Sequence, residues 1–391
     1  MKRELAGNIN KLYLIKIAKW FMLYMPIIVL FYQENGLAMY DVFLLQGIYS
    51  VAIVVLEIPS GYFADVWGRK STMVIGAVFG IAGFTVYTVS HGFWGFLIAE
   101  MILGIGQSFI SGSDSAMLYD TMLHEKKEKE YIKVEGRVIS IGNFAETTAA
   151  IFGGLLAEVS LRTPFIAQVF VAAIALPAAI LLVEPPSHAR RKATFKEIVN
   201  IVRFSLLESK PLKFYIYLSA VIGTSTLSFA WFVQPYLHQQ GYDPSEIGIL
   251  WALLNLVVGI TTLYAYKIEK RLGEVKTILL IVITIAVCYI SAGLITSFIG
   301  ISFLFIFYFA RGVATPVLKD YINRITASEI RATVLSVRNF VIRFNFAIIG
   351  PFLGWYTDHY SLAQAFWLAG ILFFVLSMFT MVPLFGMSRK D

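Results

Sequence analysis

Apolar residues along this chain gather in repeated stretches of roughly 20 residues, the length a helix needs to cross a hydrocarbon core. They lie near 12–34, 42–61, 72–90, 94–118, 136–158 and 164–183, and again near 213–237, 245–267, 276–297, 299–318, 332–356 and 362–385. The runs are continuous rather than alternating, which predicts helices and not a barrel, because backbone groups cannot stay unpaired in lipid. The expected fold class is an all-α membrane protein with twelve transmembrane helices in two pseudo-symmetric six-helix bundles. The expected division is a bundle over 1–183, a cytoplasmic linker over 184–212 and a second bundle over 213–391.

Composition agrees with that pattern. Hydrophobic residues make up 58% of the chain and charged residues 15%, too few to cover a water-facing exterior of this length. Charge then gives the pattern a direction. Of 32 Lys and Arg, only Arg162 falls in a loop on the outer side, and Lys16, Lys19, Arg311, Arg338 and Arg343 lie within spans. The remaining 26, with span-edge residues counted in the adjoining loop, fall in the even-numbered loops and the termini. That asymmetry predicts a bacterial inner-membrane protein with both termini in the cytoplasm. Anionic membrane lipids account for the basic loops and the net charge of +7, so nucleic acid is not an expected partner.

The only cysteine, Cys288, sits in an apolar run, which excludes an internal disulfide and a Cys-rich metal site. The first stretch carries Lys16 and Lys19 and no small-residue cleavage site, so it reads as a span and not a signal peptide. In the linker, Pro185-Pro186 and Arg190-Arg191-Lys192 precede Phe195, Ile198, Val199, Val202 and Leu206 at helical spacing. This predicts an amphipathic helix on the inner leaflet.

The two sets of spans repeat each other. Ser140, Asn143, Phe144 and Gly154 recur as Ser336, Asn339, Phe340 and Gly350 at an offset of 196, and Gly112, Leu118 and Asp120 recur as Gly312, Leu318 and Asp320 at an offset of 200. Such duplication is an architecture of secondary transporters. Between the second and third stretches the chain reads Gly61-Tyr62-Phe63-Ala64-Asp65-Val66-Trp67-Gly68-Arg69-Lys70. This resembles the cytoplasmic loop signature of the major facilitator superfamily, with Val66 where a basic residue is usual. The resemblance in topology covers nearly the whole chain. It implies a conformational latch in which Gly61 and Gly68 allow tight turning and close approach, and Asp65 caps the N-terminus of span 11. Arg69, followed by Lys70, would pair with an acidic group at the end of span 4, for which Asp120 is the best placed; the alternative is that these charges only set topology. The equivalent loop of the second half, Glu269 to Glu274, is degenerate.

The resemblance also implies a cavity lined chiefly by spans 1, 4, 7 and 10, helped by 2, 5, 8 and 11. Ionisable residues inside spans are costly and therefore functional candidates. Glu100, Gly104, Gln107, Ser111 and Asp114 form one polar stripe on span 4, and span 5 adds Ser140, Asn143, Glu146 and Thr147. Gln234 of span 7, beside Trp231 and Tyr236, is placed in an outer wall or in packing. Asn339 and Arg343 share a face of span 11, Arg311 lies in span 10, and Arg338 is expected to be structural. Two roles stay open for the charges. The arginines grip an anionic or zwitterionic solute while Glu146 or Glu100 carries a coupling proton, or the charges pair as gating salt bridges. Lys16 and Lys19 either snorkel, pair with carboxylates or touch substrate.

The chain looks like the bacterial drug/proton antiporter branch with degenerate marks. Glu100 stands where those exporters usually carry Arg, and Ala149-Ala150-Ile151-Phe152-Gly153-Gly154 keeps only the final glycines of their span 5 motif. The expected function is proton-coupled export of small amphipathic compounds by alternating access, with import of an anionic or zwitterionic metabolite as the alternative. A non-transporting sensor or scaffold is the reading from a different class. No enzyme chemistry is expected, because no nucleophile–base or HExxH pattern occurs and the five histidines lie in or near loops. No cofactor or metal is expected beyond H+ as coupling ion, and the protein is expected to be a monomer.

Overall fold

The computed structural model describes residues 2–111, 113–127, 130–185, 195–295, 298–327 and 330–388. Among the described residues, eleven helices are long and apolar enough to cross a membrane. The first stretch departs from expectation: it is split into α1 (Lys2–Trp20) and α2 (Ile28–Glu34). Pro26 explains the break, since it has no N–H and its ring would clash with the Met22 carbonyl in a continuous helix. The freed Leu23 N–H donates to the Gln168 side-chain oxygen at 2.9 Å, so the interruption leaves no orphan donor there.

The other stretches follow as α3 (Met39–Trp67), α4 (Arg69–Val89), α5 (Gly92–Ile110) with α6 (Ser113–His124), α7 (Tyr131–Ala157) and α8 (Thr163–Ile180). After α9 (Phe195–Arg203) come α10 (Lys210–Gln239), α11 (Pro244–Leu272), α12 (Glu274–Leu294), α13 (Phe298–Arg324), α14 (Arg331–His359) and α15 (Leu362–Ser388). Phe144, Phe170, Leu263 and Phe379 are among many large apolar side chains left exposed, as a lipid-facing surface requires.

The chain packs as two units, and neither is a plain sequence half. The first comprises 1–37, 48–190 and 242–252; the second comprises 38–47, 191–241 and 253–391. The opening turns of α3 thus belong to the second unit and those of α11 to the first. In the first unit, Gly154 of α7 meets Gly248 of α11 so closely that a Cβ on Gly248 would lie 2.5 Å from the Ala150 carbonyl oxygen. In the second, a Cβ on Gly354 of α14 would lie 2.5 Å from the Met39 carbonyl oxygen. Beside each contact a carboxylate caps a helix start. Glu158 accepts from the Ser245 N–H at 3.0 Å, and Asp358 accepts from the Met39 and Tyr40 N–H groups at 2.9 and 2.7 Å. An anion at a helix N-terminus satisfies orphan donors and meets the positive end of the dipole.

Hydrogen bonds from Ser245, side chain first and backbone second, hold the Glu158 carboxyl below its ordinary value. A depressed carboxylate keeps its bonds above the unfolded-state value and loses them only as pH falls through the folded one. Amide exchange in the first turn of α11 is therefore expected to stay slow down through about pH 4.3, the ordinary Glu value, and to accelerate below it. Acceleration that begins above that value would contradict the assignment.

In the second unit the core is aromatic. Phe229 stacks on Phe307 with centroids 3.7 Å apart, Tyr289 meets both edge-on, and its hydroxyl donates to the Ser225 carbonyl at 2.6 Å. Cys288 is fully buried beside them. The linker helix α9 runs into a π-helical turn, Phe204–Glu208. Ile201, Val202 and Leu206 pack on Leu212, Ile216, Val334 and Val337, so this part of the expected leaflet-facing surface is turned onto protein. Val199, Phe204 and Leu207 remain exposed, while the Phe195 side chain lies outside the described residues.

Candidate functional site

Within the first unit, the broken first span leaves room beside it. A cavity of 170 Å³ is bounded by Lys19, Trp20, Met22 and Tyr24 from the break, Tyr49 of α3 and Gln107 of α5. Its far wall is made of small residues, including Gly76, Gly80, Gly106 and Ala172. A smaller recess adjoins it and is lined by Lys16, Lys19, Asp114 and Glu135, with Lys19 common to both. Ser115 donates its N–H to Asp114 at 2.8 Å and its hydroxyl to Glu135 at 3.0 Å, which fixes both carboxylates. The Lys16 ammonium lies over the Trp20 ring, 5.3 Å from its centroid.

The polar stripe of span 4 is divided by this arrangement. Gln107 lines the larger cavity and Asp114 the recess, but Glu100 borders neither. Glu100 is 5% exposed and sits against two tyrosines. The Tyr32 hydroxyl reaches Glu100 Oε1 at 2.9 Å, the Tyr87 hydroxyl reaches the same oxygen at 2.7 Å, and the two hydroxyls are 2.5 Å apart. The three oxygens form a closed triangle. Above it, Arg162 donates to the carbonyls of Tyr87, Thr88 and Ser90 at 3.2, 2.9 and 3.0 Å and to the Asn35 side-chain oxygen at 2.8 Å. The basic residue that breaks the charge asymmetry thus closes the C-terminus of α4, where a cation meets the negative end of the dipole.

The remaining candidates are more dispersed. On α7, Glu146 is half-buried and Asn143 exposed, with the Asn143 carbonyl accepting from Thr147 at 2.9 Å. In the second unit, Gln234 is fully buried, as are Trp231 and Tyr236; the Tyr236 hydroxyl donates to the Ile295 carbonyl at 2.9 Å. These residues pack the interior instead of forming an outer wall. Arg311 is half-buried with its guanidinium 5.4 Å from the Tyr308 ring centroid. Asn339 is exposed and accepts from Arg338 at 3.1 Å, and Arg338 also donates to Ser219 at 2.5 Å, tying α14 to α10. Arg343 is half-buried; among the described residues neither it nor Arg311 forms an ion pair.

At the loop between α3 and α4, Gly68 takes a positive φ of 87° that turns the chain. Arg69 pairs with the buried Asp120 and donates to the Ala116 carbonyl at 2.9 Å. Both partners of the pair lie in the first unit, so it ties α4 to α6 there. The side chain of Asp65 and the surroundings of Gly61 lie outside what the structure describes. Arg69 and Lys70 also donate their backbone N–H groups to Glu184 at 2.9 and 2.7 Å, so Glu184 caps α4.

Sequence reasoning missed Tyr32, Tyr87, Glu184 and the capping pair Glu158 and Asp358. For the last two a signal was present: each is an acid at the end of the fifth span of its repeat, 200 residues apart where the span-5 pairs above are 196 apart. A tyrosine hydroxyl inside an apolar run also announces that a partner is needed.

The sequence profile of the Major Facilitator Superfamily matches residues 13–347. An uncharacterized MFS-type transporter of Methanocaldococcus jannaschii is 23% identical over 261 residues, 65% of this chain and 66% of that protein. Quinolone resistance protein NorA of Staphylococcus aureus is 23% identical over 339 residues, 82% of this chain and 83% of that one. Among solved structures, the nucleoside transporter NupG superposes with a TM-score of 0.78 at 13% identity, covering 98% of this chain and 98% of that one.

Proposed function

This chain belongs to the major facilitator superfamily and is a multi-pass membrane transporter, and on that footing we propose that it exports small amphipathic compounds in exchange for protons. The observation that carries the proton step is the Glu100 triangle. Three oxygen–oxygen contacts of 2.9, 2.7 and 2.5 Å need three protons between them. Tyr32 and Tyr87 supply one each. The third is supplied when the Glu100 carboxyl is itself protonated, and the ring of donors then closes. Loss of that proton turns both tyrosines to donate to the carboxylate and leaves the 2.5 Å contact between their own oxygens without a hydrogen. Those two oxygens then repel, so the triangle has one arrangement loaded and another unloaded. A two-state element of this kind is what coupling requires.

Support for an organic, drug-like solute comes from the aromatic cavity beside the broken span and from the resemblance to a quinolone resistance protein. The proposed orientation puts both termini in the cytoplasm. The test is norfloxacin accumulation in proteoliposomes under an imposed pH gradient. Exchange predicts protein-dependent accumulation in an acidic lumen, as protons leave. Accumulation in an alkaline lumen would mean co-transport and would overturn the export reading.

A further inference from the structure

The larger cavity of the first unit has one charged side chain in its lining, Lys19, and no carboxylate. Lys19 forms no ion pair among the described residues, even though Asp114 and Glu135 share the adjoining recess with it. Its neighbour in the lining, Trp20, has a buried indole N–H with no hydrogen-bond partner. Native interiors rarely leave such a donor unmatched, and each one calls for an explanation. An ammonium without an ion pair and an indole N–H without a partner, lining the same cavity, call for an anionic acceptor.

Shape narrows the class. The lining around these donors combines the aromatic rings of Tyr24, Tyr49 and Phe84 with the small residues Gly76, Gly80 and Gly106. A cavity of 170 Å³ is close to the roughly 150 Å³ that accommodates one benzene ring. Gly80 is where the space is greatest, since a Cβ built there meets nothing within 4 Å. The broken span contributes as well: an unwound segment in a membrane is tolerated where it lines a cavity, and such segments are where transporters place ligand groups.

We propose that this cavity binds a small aromatic acid, its carboxylate accepting from the Lys19 ammonium and the Trp20 indole N–H and its ring lying in the open space beside Gly80. The proposal deepens the transport reading, on which it rests in treating the cavity as a station for the solute, and it adds the charge and size of what is held. The carboxylate would satisfy both donors with charge-assisted bonds, and a neutral ring of the same size would leave both unsatisfied.

The test uses the purified full-length protein, sodium benzoate as the probe, and benzyl alcohol and benzylammonium chloride at matched ionic strength as controls. Benzoate is expected to raise the melting temperature in a saturable way, as a ligand of the native state does, and the two controls are not. Lys19→Gln and Trp20→Phe are each expected to weaken benzoate about tenfold or more, the loss of one hydrogen bond to a charged group. Gly80→Leu, which fills the void and leaves both donors in place, is expected to abolish the response and serves if the Lys19 variant does not fold. An equal response to benzyl alcohol, or an unchanged benzoate response in Gly80→Leu, overturns the site. If benzoate fails to bind while gradient-driven norfloxacin transport persists, the acid site falls alone. If benzoate binds as expected and no solute answers to the pH gradient, the coupled-transport reading falls and the site stands.

Discussion

Glu100→Gln is expected to yield a folded protein that no longer responds to a pH gradient. Glutamine has nearly the shape of a protonated glutamate and offers an N–H where the acid offers an O–H. The amide nitrogen donates to both tyrosine oxygens, so each contact keeps a hydrogen. It cannot accept as the acid's hydroxyl does, and one tyrosine O–H loses its acceptor in the triangle. The fold is kept with some loss of stability. What disappears is the ability to give the proton up. Solute exchange between equal concentrations on the two sides should survive, because it needs no net proton movement, while gradient-driven accumulation should fall to the level of protein-free liposomes. Tyr87→Phe is expected to act differently. It removes one hydrogen and one acceptor, leaves a buried group short of a partner, and should cost about 1–3 kcal/mol in stability. Gradient-driven accumulation at the wild-type level in Glu100→Gln would exclude Glu100 as the coupling residue.

The second large effect is expected at Arg69. Its side chain is 15% exposed and that of Asp120 is 5% exposed, so Arg69→Ala strands a carboxylate in the interior. Removing one member of a buried pair typically costs about 3–5 kcal/mol, most of it the penalty of the charge left behind. The double variant Arg69→Ala, Asp120→Ala should therefore be more stable than Arg69→Ala alone. The second repeat provides an internal comparison. Asp320, the counterpart of Asp120, pairs with Arg324 at 2.6 Å, but both side chains are about half exposed at 51% and 52%. Arg324 also reaches the largely buried Glu269 at 3.4 Å, so the clean comparison is Asp320→Ala, which removes only the exposed pair. It should cost no more than about 1 kcal/mol. Denaturant unfolding of the four proteins in one detergent checks the order. Equal losses in Arg69→Ala and Asp320→Ala would show that burial does not set the difference.

The long apolar helices were legible because membrane insertion imposes their length and composition on the sequence. The pairing of Arg69 with Asp120 was legible because a short motif fixes one partner and the end of span 4 offers few others. Chemistry at Glu100 was legible as a charge in lipid, yet its surroundings were not, since Tyr32 and Tyr87 come from other spans and periodicity within span 4 carries no information about them. The same reasoning explains why a stripe on one helix face came apart in three dimensions: Glu100, Gln107 and Asp114 share a face but meet different neighbours. The break in the first span was hidden for another reason. From Leu12 to Tyr32 the run is apolar apart from Lys16 and Lys19, and only Pro26 marks the interruption. Gln234 shows the converse case, a polar residue fully buried in the packing of the second unit and not free of partners.

The two glycine-packed, carboxylate-capped helix starts have a bearing on ancestry. Glu158 ends the fifth span of the first repeat and caps the second span of the other repeat; Asp358 does the reverse. A protein consisting of one repeat would carry a capping acid and a helix start that do not serve each other. Each repeat depends on the other at this point, for the cap and for the opening turns of the second span, so a single-copy form would be incomplete here without a second copy to meet it.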